Sequence, residues 1–123
     1  MIKKIRNTIS AIERLEAERC GLLQQLLTDE SLLQGSLSLV NRTCGKKNCH
    51  CATRPAHPAW VLATSESGRQ RCQVVRHADV EEVQRRVATY KDYRTTLRAL
   101  EAMQKELKRL LRGLMAKRDR RYK

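Results

Sequence analysis

The residues Trp60-Val61-Leu62-Ala63-Thr64-Ser65-Glu66-Ser67-Gly68-Arg69-Gln70-Arg71-Cys72-Gln73-Val74-Val75 stand apart from the long segments on either side, where apolar residues recur every three or four positions. Two short runs with strand chemistry flank Ser65-Glu66-Ser67-Gly68, whose small and flexible residues suit a hairpin turn. Upstream, Leu37, Leu39 and the run to Thr43 alternate apolar with polar. Residues 36–76 are therefore expected to hold three short antiparallel strands, with a cysteine-bearing loop joining the first to the second.

On the N-terminal side, Ile2, Ile5, Ile9, Ile12 and Leu15 are followed by Leu22, Leu23, Leu26 and Leu27, with Leu32 and Leu33 closing the run. This spacing predicts an amphipathic helix over about residues 2–34, roughly 50 Å long, with Gly35 as its cap and Thr28-Asp29-Glu30-Ser31 as the place for a kink or break. On the C-terminal side, Asp79 followed by Glu82 reads as a capping box that opens a second helix. Val80, Val83, Val87, Tyr90, Tyr93, Leu97, Leu100, Met103, Leu107, Leu110 and Leu114 then follow at steps of three and four. That helix would reach about 60 Å, weakened at Gly113 and frayed over Lys117-Arg118-Asp119-Arg120-Arg121. The expected class is α+β, mainly α: an antiparallel coiled-coil hairpin with a zinc-stapled three-stranded tip, forming one domain over residues 1–123. Its parts are the N-terminal helix 1–35, the tip 36–76 and the basic helix 77–123. Two helices bury little, and the stripes are wide, so a dimer forming a four-helix bundle is expected.

Composition narrows the possibilities. A chain of 123 residues is long enough for one core. With 41% apolar residues and regular periodicity it is no wholly disordered tail, and no stretch supplies the ~20 apolar residues that span a bilayer. Charged residues at Glu13, Arg14, Glu16, Glu18 and Arg19 interrupt any signal-peptide core, so a cytoplasmic protein is expected. An odd number of cysteines, five, fits free thiols or metal ligands better than a disulfide framework.

Three of those thiols fall in Thr43-Cys44-Gly45-Lys46-Lys47-Asn48-Cys49-His50-Cys51-Ala52, and His57 follows. Tetrahedral zinc takes thiolates at ~2.3 Å and imidazole at ~2.0 Å, which Cys44, Cys49, Cys51 and His57 would supply. His50, Cys72 and His77 are substitutes for the fourth ligand. The paired C-x2-C spacing of many zinc sites is absent. Cys20 and Cys72 read as small packed residues. Catalysis is not expected: residues 36–76 contain Glu66 as their single carboxylate, so neither a Cys-His pair nor a metal-bound water has an acid to orient or activate it.

The Cys-Gly-Lys-x-x-Cys-x-Cys core at Cys44 to Cys51, preceded by Gly35-Ser36-Leu37 and followed by His57-Pro58-Ala59-Trp60 and Val80-Glu81-Glu82-Val83, resembles a family of small prokaryotic proteins with no established activity. The resemblance covers roughly residues 33–105. Ala59-Trp60 stand where tyrosines are common in that family, and the basic C-terminal extension lies outside the pattern. Its members are often met near transposases and recombinases, which implies a mobile-element setting.

Positive charge is unevenly placed. Residues 1–35 net 0, residues 36–76 net +6 and residues 77–123 net +7, giving +13 overall from 26 basic and 13 acidic side chains. Such an excess points to phosphate-backbone binding, with Arg42, Lys46, Lys47, Arg54, Arg69, Arg71 and Arg76 in the tip and Lys105, Lys108, Arg109 and Arg112 on the helix as candidate contacts. Aromatics make up only 3%, too few for a single-strand stacking platform, so duplex DNA is the preferred ligand. The expected function is that of a dimeric, non-enzymatic accessory DNA-binding protein assisting a recombinase or transposase. A coiled-coil module for a protein partner and an RNA- or ribosome-associated factor are the alternatives. A membrane surface is not expected, because Trp60 is the one large interfacial anchor.

Overall fold

A computed structural model describes residues 2–42 and 57–122. The chain is α+β and mainly helical. Helix α1 spans Ile2–Leu26, strands β1, β2 and β3 span Ser36–Arg42, His57–Glu66 and Arg69–Val75, and helix α2 spans Val80–Arg118. The strands form one antiparallel sheet in the order β1-β2-β3. No helix among the described residues is long and apolar enough to cross a membrane.

Two compact units are present, one made of Met1–Asp29 with Tyr93–Lys123, the other of Glu30–Asp92. In the first, α1 and the C-terminal part of α2 contribute half-buried side chains at helical spacing: Ile5, Ile9, Ile12, Leu15, Leu22 and Leu26 from α1, and Leu100, Met103, Leu107, Leu110 and Leu114 from α2. Its one fully buried side chain among the described residues is polar. Thr8 is 8% exposed, donates to the Lys4 carbonyl at 3.0 Å and accepts from Lys117 Nζ at 2.6 Å. Lys117 therefore does not fray into solvent as the sequence suggested. Its ammonium has a partner across the pair, and α2 runs on to Arg118.

α1 stops at Leu26, eight residues before the expected end near 34. The Leu27 N–H donates to the Gln24 carbonyl at 3.2 Å, and Thr28-Asp29-Glu30-Ser31 lies beyond the helix. Short polar and β-branched side chains there compete with helical backbone bonds, so the break falls where the sequence allowed one. Gly35 consequently caps no helix.

The second unit holds the apolar core. Leu62, Val80 and Val87 are 7%, 8% and 6% exposed. Register pairs Leu37 with Leu62 and Leu62 with Gln73, and pairs Leu39 with Trp60 and Trp60 with Val75, so these residues share one face of the sheet. Ser38, Val40 and Arg42, with Ala59, Val61 and Ala63, and with Cys72 and Val74, share the other. The turn between β2 and β3 is the two-residue loop Ser67-Gly68, with φ of 52° and 80°. Positive φ at both positions matches the right-handed twist of the strands it joins. Upstream, the Leu33 N–H donates to the Arg86 carbonyl at 3.1 Å, and Gly35, at φ 150°, passes over β2. A Cβ on Gly35 would sit 2.7 Å from the Ala63 carbonyl oxygen. Glycine is required here by close approach of two backbones.

α2 begins where the sequence placed it, with a different cap. A single 3-10 turn, His77–Asp79, leads in through an Asp79 N–H to Arg76 carbonyl bond of 2.9 Å. The Glu82 carboxylate does not reach back to close a capping box. It binds Arg85, one turn further on, with Nη2 at 2.7 Å from Oε1 and 2.5 Å from Oε2.

Candidate nucleic-acid interface

The tip arginines among the described residues do not form one surface. Arg42 ends β1 on the face that carries Val40, Val61, Cys72 and Val74. Arg69 and Arg71, opposite Glu66 and Thr64, lie on the face of Leu62 and Trp60. Arg76 follows β3 in extended backbone. All four are exposed. Lys46, Lys47 and Arg54 lie outside the described residues, as do Cys44, Cys49 and Cys51.

His57, the remaining candidate zinc ligand, opens β2 half-buried and is the register partner of Arg42. Arg42, the last described residue before the thiols, and His57, the first after them, are thus neighbours at adjacent strand ends. Cys72 pairs with Ala63, six residues along β2 from His57. At ~3.3 Å per residue that is about 20 Å, too far for both to bind one metal. His77 leaves the sheet after Val75, which is opposite Trp60, and so lies at the same end as His57. Among the described residues no group of three His, Cys, Asp or Glu side chains is placed to hold a metal. Cys20 and Cys72, expected to be packed, are exposed free thiols. Cys20 follows Arg19, beyond the half-buried stripe of α1, and Cys72 points from an edge strand onto the open face of the sheet.

On α2, Lys105, Lys108, Arg109 and Arg112 are all exposed. Arg109 is bound to Glu106, with Nε to Oε2 at 2.9 Å and Nη2 to Oε1 at 2.5 Å. These hydrogen bonds hold the Glu106 carboxyl below its ordinary value and raise the Arg109 guanidinium. On α1, Arg19 holds Glu16 in the same way. Lys105, Lys108 and Arg112 have no ion-pair partner among the described residues, and the same is true of Arg94 and Arg98. Charge type alone puts the helix cations in one set; the acid three residues before Arg109, Glu106, is the signal that divides them.

Fold and charge together define a small α+β protein with a cationic helix and a three-stranded sheet. Residues 3–85 match the family described as a domain of unknown function (DUF6788), and the chain belongs to that family. The match takes in α1, the sheet and the first turns of α2, and ends before Arg94. No curated protein and no solved structure matches the chain.

Proposed function

We propose that this is a non-enzymatic, cytoplasmic accessory DNA-binding protein that acts as a dimer and assists a recombinase or transposase of a mobile element by holding the duplex backbone. The observation that carries this reading is a net charge of +13 whose described candidate contacts are exposed and, Arg109 apart, free of ion pairs. Phosphates are the common biological partner of such an excess, and release of condensed counterions drives the association. The recombinase setting rests on the sequence resemblance alone.

In this reading Cys44, Cys49, Cys51 and His57 bind zinc, which staples the base of the loop to the end of the sheet. The placement of His57 beside the end of β1 supports it. The helical unit is an antiparallel coiled-coil hairpin that pairs with a second copy. In its favour, no apolar side chain of that unit is fully buried among the described residues, while Tyr93, Leu97, Leu111 and Met115 are 37–67% exposed. The same exposed apolar residues would serve a second reading, in which the helices dock onto a different protein.

Fluorescence anisotropy with duplex DNA and structured RNA across a salt series, before and after chelation, tests the proposal. Salt-steep duplex binding that weakens on chelation is expected. Absence of binding to either polymer at ~100 mM salt would overturn the nucleic-acid reading in favour of a protein partner. Tighter binding to RNA would move it to an RNA-associated factor.

A further inference from the structure

Seven residues make about two turns of an α-helix, so residues at that spacing form a line nearly parallel to its axis. Arg98, Lys105 and Arg112 form such a line on α2, with Arg94, Lys108 and the ion-paired Arg109 beside it. Each residue of the line follows a half-buried residue by two positions: Thr96 before Arg98, Met103 before Lys105, and Leu110 before Arg112. Two residues correspond to a rotation of about 200°, so the cations lie on the side of α2 away from its half-buried stripe. Between Arg94 and Arg112 the acids are Glu101, exposed, and Glu106, which Arg109 occupies.

We infer that the line Arg98, Lys105 and Arg112 is the surface that contacts the phosphate backbone of duplex DNA. This rests on the nucleic-acid reading above and narrows it to one face of one helix. The line is about 21 Å long, from 14 residues at 1.5 Å each. Duplex DNA carries one phosphate charge per ~1.7 Å of axis with both strands counted, so a stretch of that length holds on the order of a dozen phosphates, of which the rod faces those on its own side. Among the described residues, the tip arginines of the sheet are divided between its two faces and form no comparable common line. Contacts made to phosphates position the duplex and leave its sequence unread.

The test compares the full chain with the triple variant Arg98→Gln/Lys105→Gln/Arg112→Gln and with Lys3→Gln/Arg6→Gln/Arg14→Gln, which removes the same charge from exposed positions of α1, titrating a random-sequence duplex across a salt series. Each phosphate contact contributes about 0.9 to the slope of log affinity against log salt. The triple variant should lose about 2 to 3 from that slope, and the charge-matched α1 variant should leave it nearly unchanged. Circular dichroism monitors helix content, and Arg98→Lys/Arg112→Lys, which keeps the charge, should keep the slope. If the parent binds and the triple variant retains its slope, this surface is wrong while the nucleic-acid reading stands. An equal loss in the charge-matched α1 variant would also overturn the assignment, because the effect would then be one of net charge. If the parent itself does not bind, both fail.

Discussion

At Gly35 the backbone conformation and the available space agree. Its φ of 150° is unfavourable for L side chains, and an added Cβ would meet a backbone oxygen at 2.7 Å that cannot swing away. Gly35→Ala should therefore destabilise the protein by about 2 kcal/mol or more, measured by chemical unfolding. Gly113, inside α2 with nothing within 4 Å of an added Cβ, provides the contrast. Gly113→Ala should stabilise by roughly 0.5 to 1 kcal/mol. Equal effects at the two sites would show that the contact with β2 does not matter. Glu16 and Glu106 give a second prediction. Each carboxyl is held below its ordinary value of 4.5 by hydrogen bonds from an arginine three residues on. A lowered value in the folded state contributes stability above the ordinary value, and that contribution is lost as pH falls through the lowered one. Solvent exposure keeps the effect small. Thermal midpoints taken between about pH 6 and pH 3 should fall less for Glu16→Gln/Glu106→Gln than for the parent, and parallel curves would refute the linkage.

Among the elements, the sheet has unequal faces. Leu62 is buried in the central strand, whereas Val74, one strand over on the opposite face, is 54% exposed. Leu62→Ala should cost about 2 to 4 kcal/mol, and Val74→Ala well under 1 kcal/mol. Similar losses in an unfolding titration would mean that both faces are covered. The strands, their turn and the start of α2 were legible in the sequence because each has a local signal: alternation, a Ser-Gly pair, an acid before a valine run. The end of α1 was not. Leu32 and Leu33 continued the apolar run, and periodicity reports that a residue avoids water without saying what it packs against. Here they belong to the unit containing the sheet. The capping box failed for a related reason, since Glu82 had a closer competitor in Arg85. Cations were legible by type, but their division was not. Arg42 and Arg71 are separated by strand register, and Arg109 is set apart from Arg112 by a neighbouring carboxylate.

For the whole molecule, the distribution of burial is the telling quantity. The fully buried apolar side chains among the described residues all lie in the unit containing the sheet. A helix pair whose leucines remain half-exposed gains little from its own packing, and association is the usual remedy. Sedimentation should find a dimer at micromolar concentration, and Leu97→Glu/Leu111→Glu should shift it to monomer. A parent chain that sediments as a monomer would rule out the four-helix bundle. The family match ends at residue 85, so the exposed Leu97, Leu111 and Met115 and the cationic line lie C-terminal to it.

The order β1-β2-β3 leaves the sheet with two outer margins, and they differ in chemistry. β3 offers Arg69 and Arg71 along its margin, charges that discourage a second sheet from adding edge to edge. β1 runs Ser36-Leu37-Ser38-Leu39-Val40 with no charge before Arg42. During synthesis or after partial unfolding, β1 is therefore the margin from which cross-β self-association would start, and a lysine at Ser38 would be the simplest guard against it.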